Sequence, residues 1–286
     1  APDIPNPRQK TEAAHRFLDR WQNRHPLINA ALFCHSPYTC SDETLREIKT
    51  VSRQWQVPYL IHLAETRDEL RMIEDKYAKS PVVYLHDLGV LDENTIAVHA
   101  NWLSDQEIDI LSRQGVKVSH CPESNMKLAA GMAPVTKLLR RGITVGLGTD
   151  GAASNNNLDL FREMGMTARV HKAVQSDPTV TDATTVLRMA TIEGARLLGL
   201  EQQIGTVEVG KSADLILIDM NQPHLTPLYH VPSHLVYAAS GGDVSTVIID
   251  GKLVLRERKF MHADLDDIMK TVRDMGEHIS RELGRQ

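Results

Sequence analysis

Cysteine is scarce and scattered: Cys34, Cys40 and Cys121 are an odd number in 286 residues and show no C-x-x-C spacing. That excludes a disulfide framework and a structural zinc knuckle, and it makes a reducing cytoplasm the expected compartment. Long apolar runs are missing as well. None approaches the roughly 20 residues a bilayer-spanning helix needs, so no membrane partner is expected. Basic excess is the third absence. With 32 Lys and Arg against 37 Asp and Glu, the formal charge is -5, and the basic residues are dispersed instead of forming a stripe that could track phosphates. Polymeric nucleic acid is therefore not an expected partner. The polar, Pro-rich opening Ala1 to Pro7 has neither the apolar stretch of a signal peptide nor an initiator Met, and the chain is expected to start inside a longer gene product.

What remains is the makeup of a soluble, folded protein, 42% hydrophobic and 24% charged. From Lys10 to Arg24 the residues Ala14, Phe17, Leu18 and Trp21 share one face at helical spacing, and Pro26 stops the pattern. A repeated unit follows: a short apolar run, a polar residue at its end, then an amphipathic helix. The runs are 28–35, 58–62, 95–99, 116–120 and 143–150. Helices are predicted over 41–55, 67–78, 104–114, 133–141, 158–173 and 182–200. Such alternation indicates parallel βα units. Beyond residue 204 the texture changes: 205–219 and 244–256 alternate in polarity, Asp250-Gly251 reads as a hairpin turn, and an amphipathic helix over 265–283 ends the chain. The predicted domains are 1–203, a barrel portion; 204–260, a β-sandwich portion; and 261–286, a C-terminal helix.

Five successive runs end on His35, His62, His99, His120 and Asp150. Reactive groups at the ends of one strand after another are what a (β/α)8 barrel presents, since its βα loops all open on one face. A doubly wound sheet would equip one or two strands at its switch point. The predicted fold is therefore α/β, a TIM-type barrel with a small C-terminal β domain. His62-Leu63-Ala64-Glu65 puts an imidazole and a carboxylate together at the barrel mouth, a metal ligand type beside a group able to move protons. H-x-x-E alone also describes a surface pair on a helix. Asp150 lies in Gly146-Leu147-Gly148-Thr149-Asp150-Gly151, where a carboxylate could complete a metal shell. The same six residues satisfy G-x-G-x-x-G, but an Asp within that turn would face a pyrophosphate with negative charge, which argues against a dinucleotide loop. A lone His99, His35 or His120 also reads as a core histidine. Their shared placement carries the functional reading. His171, His224, His230 and His234 lack that placement and read as surface or packing residues, and 184–200 as core.

At these residues the sequence resembles the amidohydrolase superfamily, in the branch of 5-methylthioadenosine/S-adenosylhomocysteine deaminases, with triazine chlorohydrolases and guanine deaminases as relatives. The matching segments are HSPYTCS (35–41), HLAET (62–66), VHANWL (98–103), SHCPESNMKLAAG (119–131), GLGTDGAASNNNLDLFREM (146–164) and GTVEVGKSADLILID (205–219). The resemblance implies a metal-dependent aminohydrolase that releases ammonia from an aminopurine nucleoside such as methylthioadenosine, S-adenosylhomocysteine or adenosine. It makes His62 and Asp150 metal ligands, and gives Asp150 the proton of the attacking water. Glu65 becomes the proton shuttle to the substrate ring, His99 the polariser of the attacking oxygen, and His35, Glu65 and Asp150 substrate contacts. The implied cofactor is Zn2+, with Fe2+ or Mn2+ able to use similar ligands, and the expected assembly is a homo-oligomer. The family's first strand carries an H-x-H pair of ligands, and no H-x-H occurs here. The expectation is thus barrel strands four to eight without the early strands, and a shell short of the usual three protein ligands. Three alternatives stay open: guanine deamination, triazine dechlorination, and a non-catalytic shortened paralogue or binding subunit.

Overall fold

Helices begin where a short polar side chain precedes an amphipathic stretch. In the computed structural model, which describes residues 9–284, Ser41 accepts from the Thr44 N–H to open Asp42–Trp55, and Thr66 accepts from Glu69 N–H to open Arg67–Tyr77. Ser104 and Glu107 cap Asp105–Arg113 reciprocally, and Asp159 and Asp182 open Leu160–Gln175 and Ala183–Ala190. The opening Ala1 to Pro7 lies outside the described residues.

Between helices run five strands: β1 (Leu32–Cys34), β2 (Tyr59–Leu63), β3 (Thr95–His99), β4 (Lys117–His120) and β5 (Val145–Leu147). All pair in parallel and their order in the sheet is their order in the chain. A doubly wound sheet reverses strand order at its switch point, and these strands do not. Alternation divides the sheet into two faces. Leu32, Cys34, Tyr59, Ile61 and Leu63 are buried, packed in a core with Leu45, Ile48, Val51, Ile73, Ile108 and Leu111 of the helices. The opposite face, bearing Phe33, Leu60, His62, Val98 and Ser119, stays partly exposed, with Phe33 at 50%.

Several predicted elements are shorter or divided. The first helix is Lys10–Trp21, because Gln22 turns to extended backbone; Ala14 and Leu18 are buried while Phe17 is exposed. The run 28–35 yields only the three residues of β1, and the stretch 182–200 breaks at Thr191 into Ala183–Ala190 and Ile192–Leu197. Helices Pro81–Asp87, Pro122–Lys127 and Val231–Tyr237 are additions. Each carries Pro in its first turn, where the missing N–H would have no helical partner anyway.

A second sheet is antiparallel, in the order β6 (Leu215–Ile218), β7 (Val244–Ile249), β8 (Lys252–Arg256), β9 (Lys259–Phe260). The Asp250-Gly251 hairpin is present, both residues left-handed at φ 50° and 73°. Of 205–219 only β6 is strand, and β9 is additional. The last helix, Leu265–Glu282, buries no residue and exposes Ile268, Met269, Val272, Met275 and Ile279 along one stripe. Among the described residues no helix is long and apolar enough to cross a membrane.

Candidate active site

Alternation places His62, the fourth residue of β2, on the open face, and left-handed backbone brings further groups to it. Leu63 is the register partner of His99, so alternation alone would turn His99 toward the helix layer with it. Instead His99 and Ala100 adopt φ of 72° and 52°, and the His99 ring lies 5.4 Å from that of His62. Ala64 at φ 50° redirects the end of β2 in the same way, leaving the Glu65 carboxylate 3.8 Å from His99 Nε2. Asp150, three residues beyond β5, is left-handed at φ 61°. Each such non-glycine residue costs on the order of 1–3 kcal/mol. At these three strand ends the left-handed backbone sets side-chain direction, whereas at Gln56, Ala78 and Ser176 it closes helices.

Named hydrogen bonds hold these turns. Glu69, almost fully buried, accepts from Ala64 N–H at 2.7 Å and Glu65 N–H at 2.9 Å, one bond to each carboxylate oxygen. Asn101 Nδ2 donates to the Glu65 carbonyl at 3.0 Å, and the backbone N–H groups of Asn101 and Trp102 both reach the Ala64 carbonyl at 3.0 Å. The helix Pro122–Lys127 holds the other two groups with adjacent residues. Ser124 Oγ donates to Asp150 Oδ2 at 2.7 Å, and Asn125 Oδ1 meets His99 Nδ1 at 2.8 Å. Gly151 N–H adds a 2.7 Å bond to the other Asp150 oxygen. That short helix is moored in turn by Glu163, which accepts from Glu123 N–H at 3.2 Å and from Asn155 Nδ2 at 2.5 Å.

Charge follows from these surroundings. Burial, with His99 and His35 nearby, holds His62 below its usual pKa, so its ring is neutral at pH 7. Burial pushes Asp150 upward, but Ser124, Gly151 and His99 outweigh it, and its carboxyl titrates below the usual range. Burial raises both Glu69 and Glu163 to about 7. A raised carboxyl binds more protons folded than unfolded between its two pKa values, so these two groups make unfolding easier as pH climbs from about 4.5 to about 7. Glu163→Gln is expected to remove up to about 3 kcal/mol of that dependence. Urea midpoints of wild type and variant at pH 5 and pH 8 check this; equal pH slopes would contradict it.

His120 departs from expectation. It is fully buried, with no left-handed residue to turn it, and its Nε2 lies 3.2 Å from Nε2 of His171 on Leu160–Gln175. Burial holds His171 down at about 4 and His120 well below its usual value, so both rings are neutral. His171 is accordingly a buried packing partner, not a surface residue. His35 lies on the open side, exposed, its ring 5.0 Å from that of His62 and its Nδ1 2.9 Å from Thr39 Oγ1. His224 contacts Asp243 and His230 caps a helix, both apart from these strand ends.

The glycines before Asp150 serve close packing. A Cβ on Gly148 would stand 2.8 Å from Ser119 Oγ and 3.1 Å from Cys121 Sγ, and one on Gly146 would stand 3.2 Å from Gly194 Cα. Gly148→Ala should therefore cost about 1–3 kcal/mol through overpacking. A guanidinium denaturation midpoint unchanged from wild type would contradict it.

As metal donors, the neutral His62 imidazole and ionised Asp150 carboxylate are the right types for a zinc-like ion. Their number is insufficient: among the described residues no group of three or more His, Cys, Asp or Glu is placed to hold a metal. Asn101, Ser124, Asn125, Glu69 and Glu163 were not singled out by sequence reasoning, though they lie in or just beyond the segments HLAET, VHANWL, SHCPESN and GLGTDGAASNNNLDLFREM. Their polarity in otherwise buried stretches was the available signal.

Known proteins resemble this chain over most of its length. The 5-methylthioadenosine/S-adenosylhomocysteine deaminase of Syntrophobacter fumaroxidans is 46% identical, the match covering 95% of this chain and 63% of that protein. The 5'-deoxyadenosine deaminase of Methanopyrus kandleri is 42% identical over 95% of this chain and 63% of its own length. Among solved structures, an adenosine deaminase from Xanthomonas campestris with bound zinc superposes with a TM-score of 0.92 at 39% identity, covering 94% of this chain and 61% of that one. The atrazine chlorohydrolase of Arthrobacter aurescens, at 24% identity and a TM-score of 0.86 over 92% of this chain and 59% of its own, shares the fold. This chain thus spans just under two thirds of the relatives it matches. The amidohydrolase family pattern fits residues 5–254, and the chain belongs to the amidohydrolase family.

Proposed function

We propose that this chain supplies the strand-end residues of a metal-dependent hydrolytic deaminase acting on an adenine nucleoside altered at its 5' carbon, such as methylthioadenosine, S-adenosylhomocysteine or 5'-deoxyadenosine. The single observation that carries the reading is the grouping of a carboxylate and two imidazoles at the ends of β2 and β3, His62 by strand alternation, Glu65 and His99 through the left-handed backbone at Ala64 and His99. Relatives named as deaminases of such nucleosides support the substrate class.

The five strands read as consecutive members of a (β/α)8 barrel, in which three further strands would join the free edges of β5 and β1 and enclose the open face. Residues 1–203 form the barrel portion, 204–260 part of a β-sandwich and 261–286 a C-terminal helix. A cytoplasmic location and a homo-oligomeric assembly are part of the same proposal.

His62 and Asp150 would hold zinc, or iron or manganese, together with donors that the described residues do not provide. When bound, such an ion would lower the pKa of its water to about 7, making hydroxide available at neutral pH. Asp150, ionised and held by Ser124 and Gly151, takes a proton from the attacking water. The water oxygen bonds to the amine-bearing carbon while Glu65 protonates the adjacent ring nitrogen. His99 Nε2, beside Glu65, steadies the oxygen of the tetrahedral adduct, and His35 contacts the substrate at the rim. Glu65 then recovers a proton from the new hydroxyl, Asp150 passes its proton to the amine, and the C–N bond breaks to release ammonia.

A panel assay of ammonia release by the full-length protein tests the reading. Adenine nucleosides altered at the 5' position should be the best substrates; turnover confined to guanine or to s-triazines would overturn it. The shortage of donors favours one second reading, a non-catalytic binding subunit. Full-length protein that binds these nucleosides without releasing ammonia would select it.

A further inference from the structure

The ring of His99 can carry its proton on either nitrogen, and in water a neutral histidine side chain favours Nε2. Which nitrogen holds it here follows from a chain of amides behind the ring. Asn101 Nδ2 lies 3.0 Å from the backbone carbonyl oxygen of Glu65, an atom that can only accept, so the Asn101 amide must present N–H there and its own Oδ1 on the other side. Asn125 Nδ2 lies 2.8 Å from that Oδ1, so Asn125 in turn directs its Oδ1 away, and 2.8 Å further on that oxygen meets His99 Nδ1. Amide orientations are ordinarily open to a flip. Here a flip of Asn101 would set two acceptors 3.0 Å apart, and a flip of Asn125 would set its own Oδ1 against Asn101 Oδ1, two acceptors 2.8 Å apart, so the orientation of both amides is fixed before any proton is placed on His99. His99, Asn125 and Asn101 are at least 96% buried, so water offers no substitute partner.

We propose that Asn101 and Asn125 are positioning residues that fix the Nδ1–H tautomer of His99 through the Glu65 carbonyl, so that Nε2 is the nitrogen presented to the reacting centre. Any proton His99 gains is then placed on Nε2, on the side where the Glu65 carboxylate lies 3.8 Å away. The relay also couples two strand ends. The residue whose carboxylate moves the proton supplies, through its backbone, the acceptor that orients the imidazole beside it. A ring in the other tautomer would turn N–H toward Glu65 when neutral and would leave Asn125 Oδ1 facing a lone pair, an unpaired buried acceptor.

The proposal rests on the deaminase reading for its kinetic consequence only, and its first test does not involve activity. Nitrogen-15 NMR of the histidine side chains in the full-length protein reads the tautomer directly. The expected result is a protonated Nδ1 on neutral His99, with the signal assigned by its loss in His99→Gln. A protonated Nε2 and bare Nδ1 in the wild-type protein would overturn the proposal whatever the activity. Asn125→Asp keeps an acceptor for Nδ1–H but cannot donate to Asn101, whereas Asn125→Leu removes the acceptor; both disturb the same buried site. The Nδ1–H signal should persist in Asn125→Asp and shift to Nε2–H in Asn125→Leu. In kinetics, Asn125→Leu should lower kcat by roughly ten- to a hundredfold with KM little changed, and Asn125→Asp should recover most of it. Equal loss in both variants, with an unchanged tautomer, would show a packing role and overturn the assignment. Wild-type protein with the Nδ1–H tautomer but no ammonia release would support the relay and refute the deaminase reading, which separates the two.

Discussion

Glu65→Gln is expected to lower kcat for ammonia release by about 10²–10⁴-fold, the range a positioned proton-transfer group contributes. The substitution isolates the proton because little else depends on the carboxylate. Glu65 is held by its backbone, with its N–H on Glu69 and its carbonyl on Asn101, and its side chain remains 22% exposed on the open face. Gln has the same shape and leaves both backbone bonds intact, so stability should move by less than about 0.5 kcal/mol. The measurement is steady-state ammonia release by the full-length variant alongside its thermal midpoint. Activity within a few-fold of wild type would remove Glu65 from the chemistry. Substitution of Glu69 would test something else, because its carboxylate bonds the two N–H groups that set the Ala64 turn.

Removal of Asp92 should produce the largest loss of stability, about 3–5 kcal/mol, because it strands a buried charge. Lys49 lies on Asp42–Trp55 with its side chain only 1% exposed, paired with Asp92, bonded to Thr95 Oγ1 at 2.9 Å and poised 5.0 Å over the Tyr59 ring. Asp92 also accepts from Arg53 Nε at 2.8 Å, so the carboxylate keeps a partner when Lys49 is lost, whereas the ammonium keeps only a hydroxyl and a ring when Asp92 is lost. Asp92→Ala should therefore be clearly worse than Lys49→Met. Burial already holds Lys49 below its usual pKa, with Asp92 opposing that. Without Asp92 the depression deepens. A base whose folded pKa lies below its unfolded value binds fewer protons folded, so the Asp92→Ala variant should regain stability as pH rises through the lysine range. Urea unfolding between pH 7 and pH 10 reads both effects. An Asp92→Ala protein no less stable than Lys49→Met, or flat across that range, would contradict the assigned burial of the charge.

Much of this architecture was legible because apolar period and polar punctuation agree. Ser41, Thr66 and Ser104 stand where the helices open, and hydrophobic runs alone located the strand ends at His99 and His120 and, one residue early, the end of β2 at His62. What the runs could not reveal is side-chain direction at those ends. His99 and His120 look alike in sequence, each closing an apolar strand, yet left-handed backbone brings the first to Glu65 while ordinary alternation buries the second against His171. Non-glycine residues at positive φ carry no compositional signal, because their strain is maintained by distant partners such as Glu69 and Asn101. The same reason hid Ser124 and Asn125. They are ordinary polar residues of a six-residue helix opened by Pro122, and only the fold shows that one grips Asp150 and the other His99. The chain's breaks at Thr191 and Gln22 were equally unreadable, since neither residue is a strong helix breaker.

Hydrolysis of methylthioadenosine by the full-length protein in oxygen-18 water tests the central claim most directly. Water attack at the amine-bearing carbon predicts one labelled oxygen on the purine ring of the product and one ammonia per product, with both signals collapsing in Glu65→Gln. A folded wild-type protein that returns the nucleoside intact and unlabelled, or one that yields labelled product at the same rate with Gln at position 65, would contradict it.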